Sequence, residues 1–425
     1  MEKKNYKISI VGAGISGLIA AQILENFGYH PTIIEKTDAV GGRVKTEVVN
    51  GHRLDVGFQV LLEAYPKAKE YLELEKLNLQ AYKPGASIYL DCKWQNIGDP
   101  LRSFDLLIPT LFNTGGSISD KWKVFQLSSH LKSKSIETIF QQEELTTYDY
   151  LIKYGFSEKI IQCFFQPFFS GIFLEDKLET SSRMFQFIYK MFSEGKTSVP
   201  KDGIGAIPLQ LKENLKHTQF KFNTSVKSVE EQKITLENGE VIESHFTIIA
   251  TEASDLVSNL NNQATEWRSC DNLYFLTDEN LLSTDLIGLL PHQDTLINNF
   301  VFVEDAKAKE LGKHLLSVTV VKKHDLSPED LVKRIQKELK NYLSIQKASF
   351  LKHYYIPRSL PKLTHTAYEI MDTETQLTPS IYLAGDQLLN GSLNAAMMSG
   401  ERAALGVIKT LEDGLVVNEL TSEYR

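Results

Sequence analysis

Apolar positions along this chain follow two rhythms, and their alternation predicts its first elements. Ile8, Ile10 and Val11 form a short run suited to a parallel strand buried on both faces. Ile15, Leu18, Ile19, Ile23, Leu24 and Phe27 then recur at helical spacing, and Gly28 stands where that helix needs a cap. Thr32, Ile33 and Ile34 supply a second strand, closed by Glu35. Residues 99–194 read as mostly helical. One helix there runs through residues 149–152 to Gly155, and another begins after Ser157. Strand-like runs return at 226–229, 234–236 and 245–251, with Asn238-Gly239 favouring a type I′ turn. Residues 315–323 read as a strand. Ser327 and Pro328 then open a helix with Leu331, Ile335 and Leu339 on one face. The last pattern is a strand at 381–384, a Gly385-Asp386 turn and a helix rich in small residues.

The first strand and helix are joined by Gly12-Ala13-Gly14-Ile15-Ser16-Gly17, a G-x-G-x-x-G sequence at the point where the chain must turn. Gly12 permits the turn, Gly14 lets backbone approach a pyrophosphate, and Gly17 lets the helix lie against the sheet. The helix N-terminus offers free N–H groups to phosphate. Glu35 can accept from both ribose hydroxyls of an adenosine and would repel a 2′-phosphate. Strand, turn, helix, second strand and acid together predict a dinucleotide site, either NAD or FAD. Gly41-Gly42-Arg43 adds a second close backbone approach and a cation for pyrophosphate. Asp55-Val56-Gly57-Phe58-Gln59 again sets glycine at a strand end.

Composition narrows the class. At 425 residues, 42% hydrophobic and 24% charged, the chain has room for two or three domains with sizeable cores. A net charge of −8 and no basic stripe interleaved with aromatics argue against nucleic-acid binding. Cys92, Cys163 and Cys270 are isolated, which suits a reducing compartment, and the ten histidines show no metal spacing, so no metal is expected. Five residues before the first strand are too few for a signal peptide, and no run of about eighteen apolar residues exists to span a bilayer. A cytoplasmic location is expected. Residues 106–112, "LLIPTLF", are the one stretch suggesting peripheral membrane contact.

Taken in order, "VGAGISGL", "IIEKTDAVGGRVKT", "LDVGFQVL", "VPKDGIGAIPLQL", "NTSVKSVEEQKITLENGEVIESHFTIIAT" and "YLAGDQLLNGSLNAAMMSGERAA" resemble the FAD-dependent amine-oxidase superfamily, which includes protoporphyrinogen oxidases and phytoene-desaturase-type enzymes. The resemblance runs nearly end to end and implies FAD. It implies an α/β fold: a Rossmann-type FAD-binding domain with a discontinuous α+β substrate domain containing a helical insertion. The FAD-binding domain would comprise residues 1–98, 195–266 and 376–425, the helical part 99–194, and the substrate sheet and helix 267–375. Gly12, Ala13, Gly14, Ile15 and Ser16 would hold the pyrophosphate, with Glu35, followed by Lys36, at the adenosine ribose. Gly42 and Arg43 would lie along the pyrophosphate and ribityl chain, Val226 would meet adenine, and Thr251 would end the strand returning to FAD. Gly57, Phe58 and Gln59 would approach the flavin, and Gly385 and Asp386 the phosphates. The last helix would aim Leu393, Asn394 and Ala395 at the flavin's pyrimidine end, where a helix N-terminus stabilises negative charge.

The substrate side is less determined. Phe164, Phe165, Phe168, Phe169 and Phe173 read either as helical core or as a wall of an apolar substrate pocket. Tyr354, Tyr355 and Arg358, in "KHYYIPRSLPKLTH", match a family segment on the substrate side of the flavin. Gly203-x-Gly205 has no buried strand before it, so no second nucleotide fingerprint is present. The expected chemistry is therefore hydride transfer from substrate to flavin N5, needing mainly positioning, with electrons passed to oxygen or another acceptor. No catalytic residue is assigned. Members that attach FAD covalently use a cysteine shortly before the C-terminal motif, and none follows Cys270 here, so noncovalent FAD is expected. "LAGDQLLNGSLNAA" lacks the tryptophan or tyrosine that sandwiches an amine, which favours a large apolar small-molecule substrate such as a porphyrinogen or polyene. An amine oxidase, a flavin-dependent isomerase or mutase, and a non-catalytic binding protein are the alternatives.

Overall fold

The computed structural model describes residues 2–98, 115–280, 282 and 285–412. The stretch 106–112 lies outside them. The strand β1 (Ile8–Val11) is buried at all four positions, as its apolar run requires. It sits centrally in a six-stranded sheet ordered Gln219–Lys221, β2 (Thr32–Ile34), β1, Phe246–Ile249, Ile381–Leu383 and Gln376–Thr378. The first five strands run parallel and the last antiparallel. Parallel strands need covered faces, and α1 (Ile15–Asn26) covers one, with nine of its residues buried. Gly28, at φ +85°, follows it and turns the chain into β2. The C-terminal helix, Leu393–Leu411, packs onto α1 so closely that a Cβ on Gly400 would lie 2.2 Å from the Ser16 carbonyl oxygen. Small residues in that helix are there for close packing.

A second, seven-stranded sheet runs Ala348–Pro361, Trp267–Thr277, His314–Val320, Ile297–Val303, Ile287–Leu289, Gly85–Leu90 and Lys93–Gly98. The hairpin of the last two strands falls within the 1–98 segment that the sequence groups with the nucleotide domain, yet it is hydrogen-bonded into this other sheet. Its apolar residues Ala86, Ile88 and Ile97 find their partners in Leu289, Phe164 and Phe168. Ala348–Pro361 runs on through Pro357 because it is an edge strand, where a missing N–H breaks no ladder. Gly203 and Gly205 do follow a strand, Thr197–Pro200, but an antiparallel one. Their backbone closes on Thr46 and Asp55, leaving no room for a nucleotide.

The helices from Ile118 to Glu194 meet the seven-stranded sheet at Ile297–Val303 and Gly85–Leu90. Thr146 and Gly155 bracket Thr147–Tyr154, and Ser157 caps the next helix. A π turn, Ile161–Phe165, leads without a break into Gln166–Phe173, and Pro167 at that junction takes one N–H out of the helical ladder. Among the described residues, no helix is long and apolar enough to cross a membrane.

Candidate functional site

The two sheets and the helices line a cavity of about 1330 Å³. That exceeds the 300–1,000 Å³ typical of a single small-molecule site, so it has room for a cofactor and a second molecule. One end is built by two glycine turns. Gly12, at φ +105°, donates its N–H to the Ile34 carbonyl (2.9 Å), and a Cβ there would meet the Ala250 carbonyl oxygen at 2.9 Å. Gly14 caps α1 with no side chain, lines the cavity, and has no protein atom within 4 Å of where a Cβ would stand. Gly41 and Gly42, at φ +121° and +60°, fold against it, with the Gly41 N–H donating to the Ala13 carbonyl (2.9 Å). The result is a backbone-lined cradle at a helix N-terminus, which a phosphate chain fits.

Glu35 lies on the cavity wall 7% exposed. Its carboxylate accepts from the Ala13 N–H (2.8 Å), the Thr37 N–H (2.9 Å) and the Thr37 hydroxyl (2.8 Å). So the acid also pins the glycine turn, a role its position in the sequence does not show. Ile15, Ser16, Lys36 and Thr251 line the same end, and Ala13 is buried just behind it. Asp386 is buried and paired with Arg43 through both carboxylate oxygens. Arg43 also donates to the Ser359 carbonyl (3.2 Å) and lies 5.0 Å over the Trp267 ring. Gln59 fixes this loop by donating to the carbonyls of Arg43 (2.8 Å) and Val56 (3.0 Å). Gly42, Gly57, Phe58 and Gly385 are on the wall with it.

At the N-terminus of Leu393–Leu411, Ser392 accepts from the Ala395 N–H (3.0 Å), while the N–H groups of Leu393 and Asn394 have no protein acceptor among the described residues. Leu393 reaches the cavity. Asn394 and Ala395 are buried behind it, and Asn394 accepts from the Lys67 N–H (3.0 Å) while its Nδ2 has no partner.

Three expected residues fall elsewhere. Val226 is off the cavity wall, half-buried against the cluster of Val11, Ile34 and Val229, because a bulge after it turns the strand. Tyr354 points past the cavity to the antiparallel pair Thr46–Val49 and His52–Asp55, where its hydroxyl donates to Glu47 (3.0 Å), and Tyr355 is exposed. Arg358 does reach the wall, paired with Asp255 (2.8 Å). Tyr354 shares a strand face with Ile356, which lines the cavity, but stands two residues further along, in the cluster of Leu54 and Tyr274. Past Ile356 the strand bulges, with Leu360 opposite Arg268 and Ile356 opposite Cys270, and Arg358, Ser359 and Leu360 join the wall there.

The other end of the cavity is apolar. Phe168 and Phe169 line it, joined by Phe164, Met184, Ile188 and Phe192. The last three stand four residues apart along Ser182–Glu194, flanked on the same broad apolar face by Phe185 and Phe187, which are buried in the core. An apolar face wider than core packing alone needs was the sequence signal for this wall. Trp267 carried no such signal. Cys270, also on the wall, is pushed up to about 11 by burial, against a hydrogen bond with Ser359, so its thiol stays protonated at neutral pH. Among the described lining residues the carboxylates are Glu35, Glu252 and Asp386, all at the cradle end.

Known proteins resemble this arrangement. The family model described as flavin containing amine oxidoreductase matches residues 15–408. Protoporphyrinogen oxidase 2 of Arabidopsis thaliana is 36% identical over 67 residues, 16% of this chain and 13% of that protein. A redesigned putrescine oxidase shares the fold over 95% of this chain and 98% of its own, at a TM-score of 0.71 and 15% identity. A CLA-producing fatty acid isomerase from P. acnes does so over 94% and 98%, at 0.68 and 14%. The matches to curated relatives span less than a fifth of those relatives' length.

Proposed function

The chain belongs to the flavin-containing amine oxidoreductase family, and from that premise we propose that it is an FAD-dependent oxidoreductase acting on a large, mostly apolar molecule, of the class a porphyrinogen or a polyene represents. The observation that carries this reading is the division of the cavity. Every carboxylate among its described lining residues is at the cradle end, and the remaining wall is mostly aromatic and aliphatic and carries none. A buried ammonium needs a carboxylate or comparable partner beside it, and this wall offers none. An extended apolar molecule needs only the area.

The cradle suits FAD on its own geometry. The space kept open at Gly14, the acid at the end of β2 and the unpaired N–H groups of Leu393 and Asn394 match a pyrophosphate, a ribose and an electron-rich ring edge. Gly12, Gly14, Gly42 and Ser16 would hold the pyrophosphate, Glu35 the ribose, and the start of Leu393–Leu411 the pyrimidine end. When bound, the flavin supplies the redox chemistry, accepting a hydride from a substrate carbon and passing electrons to oxygen or another acceptor. The Arg43–Asp386 pair and Gln59 fix the loop beside the cofactor, which limits the reorganisation that binding requires. Phe164, Phe168 and Phe192 exclude water and orient the substrate by shape. No side chain here is asked to move a proton.

Anaerobic mixing tests this. Flavin absorbance should fall with a porphyrinogen or a polyene and stay constant with putrescine. Bleaching by the amine and by neither apolar class would overturn the reading. Turnover without bleaching and without consumption of an acceptor would replace oxidation by isomerisation.

A further inference from the structure

A polar pair interrupts the apolar wall. Leu289, Asn299, Thr319 and Asn272 are successive cross-strand neighbours in the seven-stranded sheet, so their side chains stand on one face. Leu289, Asn299 and Thr319 line the cavity, and Asn272 does not. Leu289 packs with Ile88, Ile97, Phe164 and Phe168. Asn299 and Thr319, each 4% exposed, are therefore buried polar groups at the edge of an apolar cluster.

Their hydrogen bonds are incomplete in one particular way. Asn299 Nδ2 donates to Thr319 Oγ1 (3.3 Å), and Asn299 Oδ1 accepts from Asn298 Nδ2 (2.9 Å). Asn298 also donates to the Pro167 carbonyl (3.2 Å), which ties this row to the helix Gln166–Phe173. That helix crosses at Gly171, where a Cβ would stand 2.7 Å from Asn299 Oδ1. The amide oxygen is thus enclosed on the helix side. A threonine hydroxyl and a primary amide carry three donor hydrogens between them, and the described contacts use one. The Thr319 hydroxyl proton and the second Asn299 amide proton have no protein acceptor among the described residues. Buried donors left unmade are costly, so this pair is suited to an incoming acceptor. No cation is hydrogen-bonded to either residue, and Arg268, also on the wall, is engaged by the Phe173 carbonyl, Thr180 and Glu175. Two neutral donors suit a neutral oxygen better than a carboxylate, and an ammonium not at all.

We infer that Asn299 and Thr319 form a subsite for a carbonyl oxygen on an otherwise apolar substrate, fixing how that substrate lies in the cavity. The inference rests on the apolar-substrate reading and adds a specificity that the aromatic wall alone lacks. A site built to hydrogen-bond a substrate group discriminates against the analogue without it more sharply than an apolar surface can.

The test uses the flavin-loaded protein with two probes of equal chain length, 2-undecanone and undecane. Dissociation constants come from headspace partition, and the carbonyl stretch of the bound ketone from infrared difference spectra. Relative to their partition from water into hexane, the ketone should bind roughly tenfold better than the alkane, with its stretch at lower frequency than in hexane. Thr319→Val should lower ketone affinity severalfold and leave undecane unchanged, whereas Thr319→Ser should restore the ketone. Asn299→Leu provides an independent loss, and the wild-type ratio and band need no variant at all. Binding of both probes in proportion to their partition into hexane, with an unshifted band, would overturn the subsite while leaving the apolar cavity intact. Binding of neither would overturn the apolar-substrate reading itself.

Discussion

Gly14 and Gly12 stand two residues apart in the same turn, and they should fail in different ways. Gly14 has ordinary backbone angles and open space around a prospective Cβ. Gly14→Val should therefore fold with an unchanged circular dichroism spectrum and melting temperature, yet purify without bound flavin. Gly12→Val meets both positive φ and the Ala250 carbonyl. It should lose about 2 kcal/mol or more of stability, read by urea titration. Arg43→Ala leaves the buried Asp386 carboxylate without its partner, so it should reduce the flavin content of purified protein and cost about 1–3 kcal/mol. Much of this residue-level chemistry was legible in the sequence, because a turn that brings backbone to a phosphate allows few residue types. Glu35 could be read as a ribose acid for the same reason. Its bonds to Ala13 and Thr37 could not, since they depend on where the second glycine turn folds.

Elements were legible wherever caps and periodicity agreed, as at Ser157, Ser327 and Gly155. They were not at Tyr354 and Tyr355, which the family segment put on the substrate side: the strand's pairing, which no local pattern gives, sets Tyr354 against Glu47 and leaves Tyr355 exposed. Asp120 shows an element-scale device. Its carboxylate accepts from the N–H and hydroxyl of Ser117 and from those of Ser157, joining the start of Ile118–Ser133 to the start of the helix after Ser157. Burial by itself would raise its pKa, but these bonds outweigh it and hold the group at about 2. The folded value lies below the ordinary carboxylate range. Asp120 therefore contributes stability that is full above about pH 4 and is lost as pH falls toward 2. Asp120→Asn should lower the melting temperature at pH 7, and the gap from wild type should shrink as pH drops from 4 to 2. A gap that is constant with pH would contradict that account.

At the scale of the whole molecule, three separated stretches build one cradle, and the hairpin of residues 85–98 crosses to the other sheet. Parallel pairing between Gly85–Leu90 and Ile287–Leu289 leaves no local mark, so no periodicity could have announced it. The family resemblance supplied the order of the motifs, and the structure shows what that order does: it closes a glycine cradle and an aromatic wall around one space. The absorbance spectrum of the purified protein, before and after denaturation, tests most directly that this space holds FAD without a covalent link. The account predicts flavin bands that leave with a released small molecule once the chain unfolds. Colour that stays on the polypeptide, or a colourless folded protein that takes up no added FAD, would contradict it.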